Sequence, residues 1–401
     1  MKFAIATLGC KVNQYESQRI REAFLARHYV EQSFAEPGAD LYIINTCTVT
    51  HKTDAENRRL IRKALRYGGQ VVATGCQAVT APEAIQAISK EIEVVKPGSF
   101  ETALGISVPH FISGFEGHSR AFVAIQQGCN NFCTYCIVPF SRGLPVSRPP
   151  EEIIWEINTL VQAGYHEVVL SGINIGLYEG GLAGLVSQIL DQSATCRVRI
   201  SSIEPWTLED ELVGIIASDP RICKHMHLPL QSGSDNILKA MGRPYKRLYY
   251  RTLIERIRAG NREIAIGSDV MVGFPGEDEQ CFTETLEFIQ SLELAYLHVF
   301  PYSQRRGTAA AAFNAQVDPK EKQKRSAVLR QLSHKKRMAF AISQIGSIQD
   351  LLVTSVEKDT FRGITSNYLK CSVAGKNEIG NMVRVKVTST EGAMLIGHLY
   401  G

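Results

Sequence analysis

The 401-residue chain lacks any apolar run long enough to cross a membrane. Its longest such stretches, AFVAI and EVVLSGI, are far too short. MKFAIATLGCK has neither the charged start nor the long apolar stretch of a secretory leader, so a cytoplasmic protein with no membrane partner is expected. Charge of one sign is also scarce. Forty-four Lys and Arg against forty Asp and Glu leave +4, so contact with nucleic acid has to come from local patches. There is no internal repeat and no low-complexity segment. Ten cysteines in so long a chain are too sparse for a disulfide framework, and metal binding or catalysis is the better use of them in a reducing compartment. What remains, 44% hydrophobic and 21% charged residues, is ordinary for a globular protein of two to three domains.

Strand-like and helix-like patterns alternate through the first hundred residues. KFAIATLGC, DLYIINTC and QVVATGC read as strands. YESQRIREAFLARH, AENRRLIRKALRYGG and APEAIQAIS read as the helices between them, the second with a Gly stop and the third with Pro at its start. This rhythm predicts an α/β fold with a parallel sheet over residues 1–106. SVPHFISGFEGHSR, residues 107–120, reads as a linker. From 121 to 317 the rhythm restarts with AFVAIQQGC, HEVVLSG, CRVRISSIEP, HMHLPLQSG, IGSDVMVGFPG and AYLHVFPYS. Six such units predict a partial (β/α)6 barrel rather than a full eightfold one. Residues 318–347 read as a basic helical connector. LLVTSVEK, FRGITSNYLKCSV, NMVRVKVTST and MLIGHLYG then predict a small β-barrel over 348–401.

The informative cysteines fall in two sets. QQGCNNFCTYCIVPFSRG carries Cys129, Cys133 and Cys136 in a C-x3-C-x2-C loop after the first barrel strand. Zinc sites usually pair two such elements, and no second pair follows; a redox C-x-x-C does not need Cys129. Three thiolates fit three corners of a four-iron cube and leave one iron open, so iron–sulfur is favoured over zinc and over structural thiols. Cys10, Cys47 and Cys76 each end a strand of the first sheet. Ligands gather beyond the carboxyl ends of parallel strands, so these distant thiols can converge there, or else be small buried residues.

With the C-x3-C-x2-C loop, Tyr135 before Cys136, the following IVPFSRG, and TLGCKVNQYES, INTCTVT and TGCQA, the chain resembles the radical S-adenosylmethionine methylthiotransferases over essentially its whole length. The resemblance implies a radical-generating 4Fe–4S cluster on Cys129, Cys133 and Cys136, and an auxiliary 4Fe–4S cluster on Cys10, Cys47 and Cys76. It implies two uses of S-adenosylmethionine. One methylates sulfur held at the auxiliary cluster; the other is reductively cleaved to a 5′-deoxyadenosyl radical that takes hydrogen from carbon 2 of an adenine. Thiolates suit such a low-potential cluster. It also implies a tRNA partner, an electron donor such as flavodoxin or ferredoxin, and a C-terminal barrel like the RNA-binding TRAM module. LGCKVN looks like the branch that acts on N6-threonylcarbamoyladenosine next to the anticodon. The isopentenyladenosine branch and the branch acting on a ribosomal-protein aspartate are the alternatives, and an iron–sulfur RNA-binding sensor of redox state or iron is the non-enzymatic one.

Cofactor contacts are expected at the strand ends: Asn174 in SGINIG, Ser202 and Glu204 in SSIEP, and Gln231 and Ser232 in HLPLQSGSD. Their bland alternatives are a plain turn for Asn174 and a helix cap for Glu204. His227 reads as a satisfied core histidine. PYSQRRGT matches a family motif, and its Arg305 is expected to position substrate or cluster. Basic residues cluster at Arg58, Arg59, Arg62, Lys63 and Arg66, and along the connector, where Lys335, Lys336 and Arg337 are expected to meet RNA. Phe361 and Arg362, with Tyr368 and Lys370, mix aromatics and charge as RNA-binding strands do. Cys196, Cys223, Cys281 and Cys371 read as structural.

Overall fold

A computed structural model describes residues 1–401. Strands β1 (Lys2–Thr7), β2 (Val30–Glu31), β3 (Leu41–Thr46), β4 (Gln70–Gly75) and β5 (Glu93–Val94) form a parallel sheet in the order β2-β1-β3-β4-β5. β3 is buried along its whole length, as a central parallel strand covered on both faces must be. Alternation along it sorts the two covers. Ile43 packs with Phe3, Ile20 and Phe24 under the helix Lys11–Leu25. Tyr42 and Ile44 pack with Leu60, Ile61 and Ala64 of the helix His51–Tyr67. That second helix starts on a Thr50–Thr53 capping box and stops at Gly68 in the left-handed region, the stop read from the sequence.

β6 (Ala121–Gln127), β7 (Val146–Ser147), β8 (Glu167–Gly172) and β9 (Arg197–Ile200) make one sheet, with β7 an antiparallel edge. β10 (His225–His227), β11 (Ala265–Val272) and β12 (Tyr296–Pro301) make another. Single bridges, Val198 to Ile222 and Ser202 to His227, join them. The six strands β6 and β8 to β12 are all parallel and leave the barrel open, in agreement with the expected α/β class. Every strand's carboxyl end therefore points to one rim.

β13 (Ile348–Val356), β14 (Thr360–Thr365), β15 (Lys370–Ala374), β16 (Met382–Glu391) and β17 (Met394–Leu399) close into a barrel in the order β13-β14-β15-β17-β16. FRGITSNYLKCSV, expected as one strand, is two. The Thr365 hydroxyl donates to Asn367 Oδ1 at 2.6 Å, and Tyr368 sits at φ 65°, which turns the chain between β14 and β15. Phe361 lies at the centre of this barrel with Leu351, Val385 and Leu395, fully buried, so it is a core residue and not an RNA contact. The helix Pro319–Ile342 runs along β12 and joins the two barrels.

The small barrel docks on the amino ends of the large one through buried charge. Glu167 accepts from Arg197 Nε at 2.6 Å and Arg199 Nε at 2.8 Å. The same two guanidiniums donate onward to the carbonyls of Asp350, Ile364, Thr365 and Ser366. No helix is long and apolar enough to cross a membrane.

Candidate active site

Cys10, Cys47 and Cys76 follow β1, β3 and β4, three adjacent parallel strands, so the sheet carries them to one edge. Gly9, at φ 104°, lets the turn pass close to Cys47; a Cβ there would stand 3.1 Å from its Sγ. Burial pushes the Cys47 and Cys76 thiols up, with Cys10 raising both further and Cys76 also raising Cys47. Cys129, Cys133 and Cys136 lie in the loop between β6 and the short helix Val138–Arg142. Burial pushes the Cys136 thiol up to about 12.

A cavity of about 350 Å³ at the rim of the barrel is lined by all three loop cysteines and by Cys10. Cys10 and the loop cysteines, more than a hundred residues apart in the chain, thus face the same space. In neither trio do all three sulfurs lie within 4.8 Å of one another, the span that suits a single ion. His227, Asp269 and His298 do close to that span.

The polar lining of the cavity has spare capacity. Asn174 Nδ2 donates to Cys129 Sγ at 3.6 Å, while its Oδ1 is buried without a partner. Gln231 Oε1 and Asn131 Nδ2 are also buried and unpaired, and both residues line the cavity. Gln231 is held there at φ 69°, a conformation costly for a side chain of its kind. Three orphaned polar atoms around one space fit a polar ligand that completes their hydrogen bonds. The open-cornered thiol trios fit iron–sulfur clusters by donor chemistry.

The other expected contacts divide. Ser202 lines the cavity. Glu204 lines it too, but it is taken by Arg243, whose Nη1 lies 3.1 Å from Oε1 and 3.6 Å from Cys133 Sγ. Ser232 does not reach the cavity. It is fully buried, and its hydroxyl pairs with Thr285 at 3.2 Å beneath the Gly233 turn. Arg305 binds the protein itself: Nη1 pairs with Asp54 at 2.6 Å and Nη2 donates to Thr48 at 2.7 Å, one residue beyond Cys47. Lys336 caps a helix end, donating to Leu292 O at 2.7 Å, and Arg337 lies over the Tyr296 ring. Lys336 is therefore committed within the protein rather than free for RNA as expected, whereas the Arg337 guanidinium makes no hydrogen bond or ion pair. Lys335 and Arg362 are exposed, Arg362 in a surface pair with Glu357. His227 is a bonded core residue, held by Asp269 at 2.9 Å and Tyr296 at 3.2 Å.

Arg142, Arg243, Lys11 and Asp269 were not singled out from the sequence, although each sits at the cavity or against a thiol. Adjacency to cysteine could have pointed to Lys11. Arg243 lies more than a hundred residues from Cys133, so no local pattern pairs them.

Residues 123–289 match the model of the radical SAM superfamily, and residues 2–96 match that of uncharacterized protein family UPF0004. The chain is 38% identical to the threonylcarbamoyladenosine tRNA methylthiotransferase MtaB of Bacillus subtilis, over 96% of this chain and 93% of that protein. It is 37% identical to the MtaB of Chlamydia pneumoniae, over 99% and 98%. The tRNA-2-methylthio-N(6)-dimethylallyladenosine synthase of Syntrophomonas wolfei is 34% identical, over 100% and 98%. The fold is shared with the radical S-adenosylmethionine methyltransferase TsrM of Kitasatospora setae, at TM-score 0.54 and 13% identity over 77% of each chain. Near full-length likeness at these identities, with Cys10 and the three loop cysteines at one cavity, places the chain in the radical S-adenosylmethionine methylthiotransferase family.

Proposed function

We propose that this enzyme methylthiolates carbon 2 of N6-threonylcarbamoyladenosine next to the anticodon of cytoplasmic tRNA. In this reading Cys129, Cys133 and Cys136 hold one 4Fe–4S cluster, and Cys10, Cys47 and Cys76 hold a second. Two molecules of S-adenosylmethionine are used, one for its methyl group and one cleaved by a single electron from a donor such as flavodoxin or ferredoxin. The divisions 1–106, 107–120, 121–317, 318–347 and 348–401 are then cluster domain, linker, catalytic barrel, connector and RNA-binding barrel. The observation that carries the reading is the shared cavity, lined by Cys10 together with the three loop cysteines.

When bound, the clusters and cofactor supply the radical chemistry that an unactivated aromatic C–H demands and no side chain can provide. The chain's own residues bind and orient. Asn174 and Gln231 offer their unpaired oxygens to the cofactor's ammonium and hydroxyl donors, and Ser202 stands beside them. Arg243 neutralises Glu204 and steadies Cys133. Phe132, Val138, Pro139, Ile173 and Pro229 form apolar wall that limits water around the reacting carbon. Exposed Arg58, Arg62, Arg66, Lys335 and Arg362 supply phosphate contacts at the surface.

The relatives that support the threonylcarbamoyl branch stand beside one named for dimethylallyladenosine at 34% identity, which favours that base as the second reading. Mass spectrometry of tRNA nucleosides from a deletion strain separates them. Loss of the methylthio form of threonylcarbamoyladenosine is expected. Loss of the isopentenyl counterpart with the threonylcarbamoyl product intact overturns the branch.

A further inference from the structure

Deeper in the barrel, a second cavity of about 160 Å³ adjoins the first; Lys11, Ser201, Ser202 and Asp269 line both. Its own walls are cationic. Arg120, Arg199 and Lys11 face it, against the single carboxylate of Asp269. Asp269 is already matched by His227 at 2.9 Å and His298 at 3.4 Å. Glu167, behind the wall, is shared among Arg120, Arg197 and Arg199 at 3.3, 2.6 and 2.8 Å. Three guanidiniums on one carboxylate leave positive charge over. Lys11 makes no salt bridge, and Asp269, the one carboxylate lining the cavity with it, pairs with His227 and His298 instead. An ammonium facing a low-dielectric cavity without a counter-charge is costly unless a ligand provides one.

The small barrel closes this cavity from below. Tyr368 reaches in from the turn between β14 and β15, with its ring 4.6 Å from that of His225 and beneath Arg199 at 5.1 Å. Tyr368 holds a left-handed backbone to do so, a strain that costs on the order of 1 kcal/mol or more and needs firm support. Arg197 and Arg199, bonded to the carbonyls of Ile364, Thr365 and Ser366 that lead into that turn, give it.

We propose that the lower cavity receives the N6 substituent of the substrate base, and that Lys11 is a specificity-determining residue that binds the substituent's carboxylate. The inference rests on the adenosine methylthiolation reading and assigns the group that selects the branch. In adenine, C2 and N6 point in diverging directions, so a base that turns C2 to the thiol-lined cavity sends its N6 group away from it. The adjoining cationic space is where that group then lies. A threonylcarbamoyl group ends in a carboxylate and a hydroxyl, which meet Lys11 and the hydroxyls and imidazoles of the wall. An isopentenyl group brings no charge, and it would desolvate the cations without replacing their water.

The test uses the cluster-loaded full chain and three synthetic anticodon stem-loop RNAs. They carry threonylcarbamoyladenosine, its threoninamide counterpart, or isopentenyladenosine. With the unaltered enzyme, kcat/KM for the acid is expected to exceed that for the amide by roughly ten- to a hundredfold, the worth of one charge-assisted contact. Lys11→Met is expected to bring that ratio near one, mainly through KM, and Lys11→Arg to restore most of it. The ratio is taken within one sample, so the fraction folded or loaded cancels. If Lys11→Met does not turn over, Kd values for the acid and amide RNAs, from fluorescence anisotropy, give the same ratio. Equal use of acid and amide by the unaltered enzyme overturns the inference and leaves the function standing, as does a ratio that survives Lys11→Met. Turnover of the isopentenyl RNA alone overturns the branch reading itself.

Discussion

Arg142 of the large barrel donates through Nε to the sulfur of Cys76 in the N-terminal sheet, at 3.2 Å. The same guanidinium pairs with Glu16 and donates to Asn13 Oδ1 at 2.5 Å. It lies six residues beyond Cys136, so one side chain ties the loop of one thiol trio to a member of the other. Arg142 and Glu16 are both largely buried, and removing one leaves the other charge uncompensated. Arg142→Ala is therefore expected to destabilise the protein by about 3–5 kcal/mol. A urea titration of the full chain reads it; a loss under 1 kcal/mol contradicts this account of the contact.

Each loop cysteine should be indispensable to cofactor cleavage. Cys129→Ala, Cys133→Ala or Cys136→Ala, reduced anaerobically with S-adenosylmethionine, is expected to form no 5′-deoxyadenosine. Iron content should fall from about eight to about four per chain, the difference of one cube. Continued formation of 5′-deoxyadenosine by any of the three would break the assignment of that trio.

Acid should loosen the docking of the small barrel. Burial alone would raise the Glu167 carboxyl, but Arg199, Arg197 and Arg120 outweigh it and hold the group well below the usual carboxylate range. A carboxyl depressed in the folded state contributes stability above its unfolded value of about 4.3, and that contribution is lost as pH falls toward the folded value. Stability should therefore drop below about pH 4.3, and Glu167→Gln should remove that part of the slope while lowering stability at pH 7 by about 3–5 kcal/mol. Denaturant melts at several pH values check both; an unchanged acid slope in Glu167→Gln counts against the latch.

Neighbouring lysines on the connector should behave differently. Lys335 is exposed, whereas Lys336 is committed to Leu292 O at 2.7 Å. Lys335→Ala is expected to weaken tRNA binding and reduce the slope of log affinity against log salt by about 1. Lys336→Ala should instead cost about 1 kcal/mol of stability through the lost helix-end contact. Anisotropy titrations across a salt series decide the first, and a thermal melt the second.

Much of the plan is written locally. Strand–helix alternation, the Gly68 stop and the C-x3-C-x2-C loop are short-range patterns, and they announce the α/β class and the loop thiols. The break inside FRGITSNYLKCSV has no local signal, because its turn is built by Asn367 and a left-handed Tyr368, with neither Gly nor Pro to mark it. Alternation within a strand cannot tell a barrel's inside from its outside, so the mix of aromatics and charge around Phe361 suggests an RNA-binding strand although Phe361 is fully buried. Ser232, Arg305 and Lys336 had chemistry suited to a ligand, yet Thr285, Asp54 and the Leu292 carbonyl had already claimed them.

The sequence by itself determined which atoms are available: two trios of thiols without a fourth protein ligand, at strand ends where a parallel sheet exposes them. Only the tertiary structure decided that Cys10 and Cys129 share a cavity, that Arg142 and Arg243 each touch a sulfur, and that Lys11 and Tyr368 meet in the barrel's depth. Those meetings join residues far apart in the chain. They depend on how two sheets and a small barrel are packed together, which no local periodicity encodes.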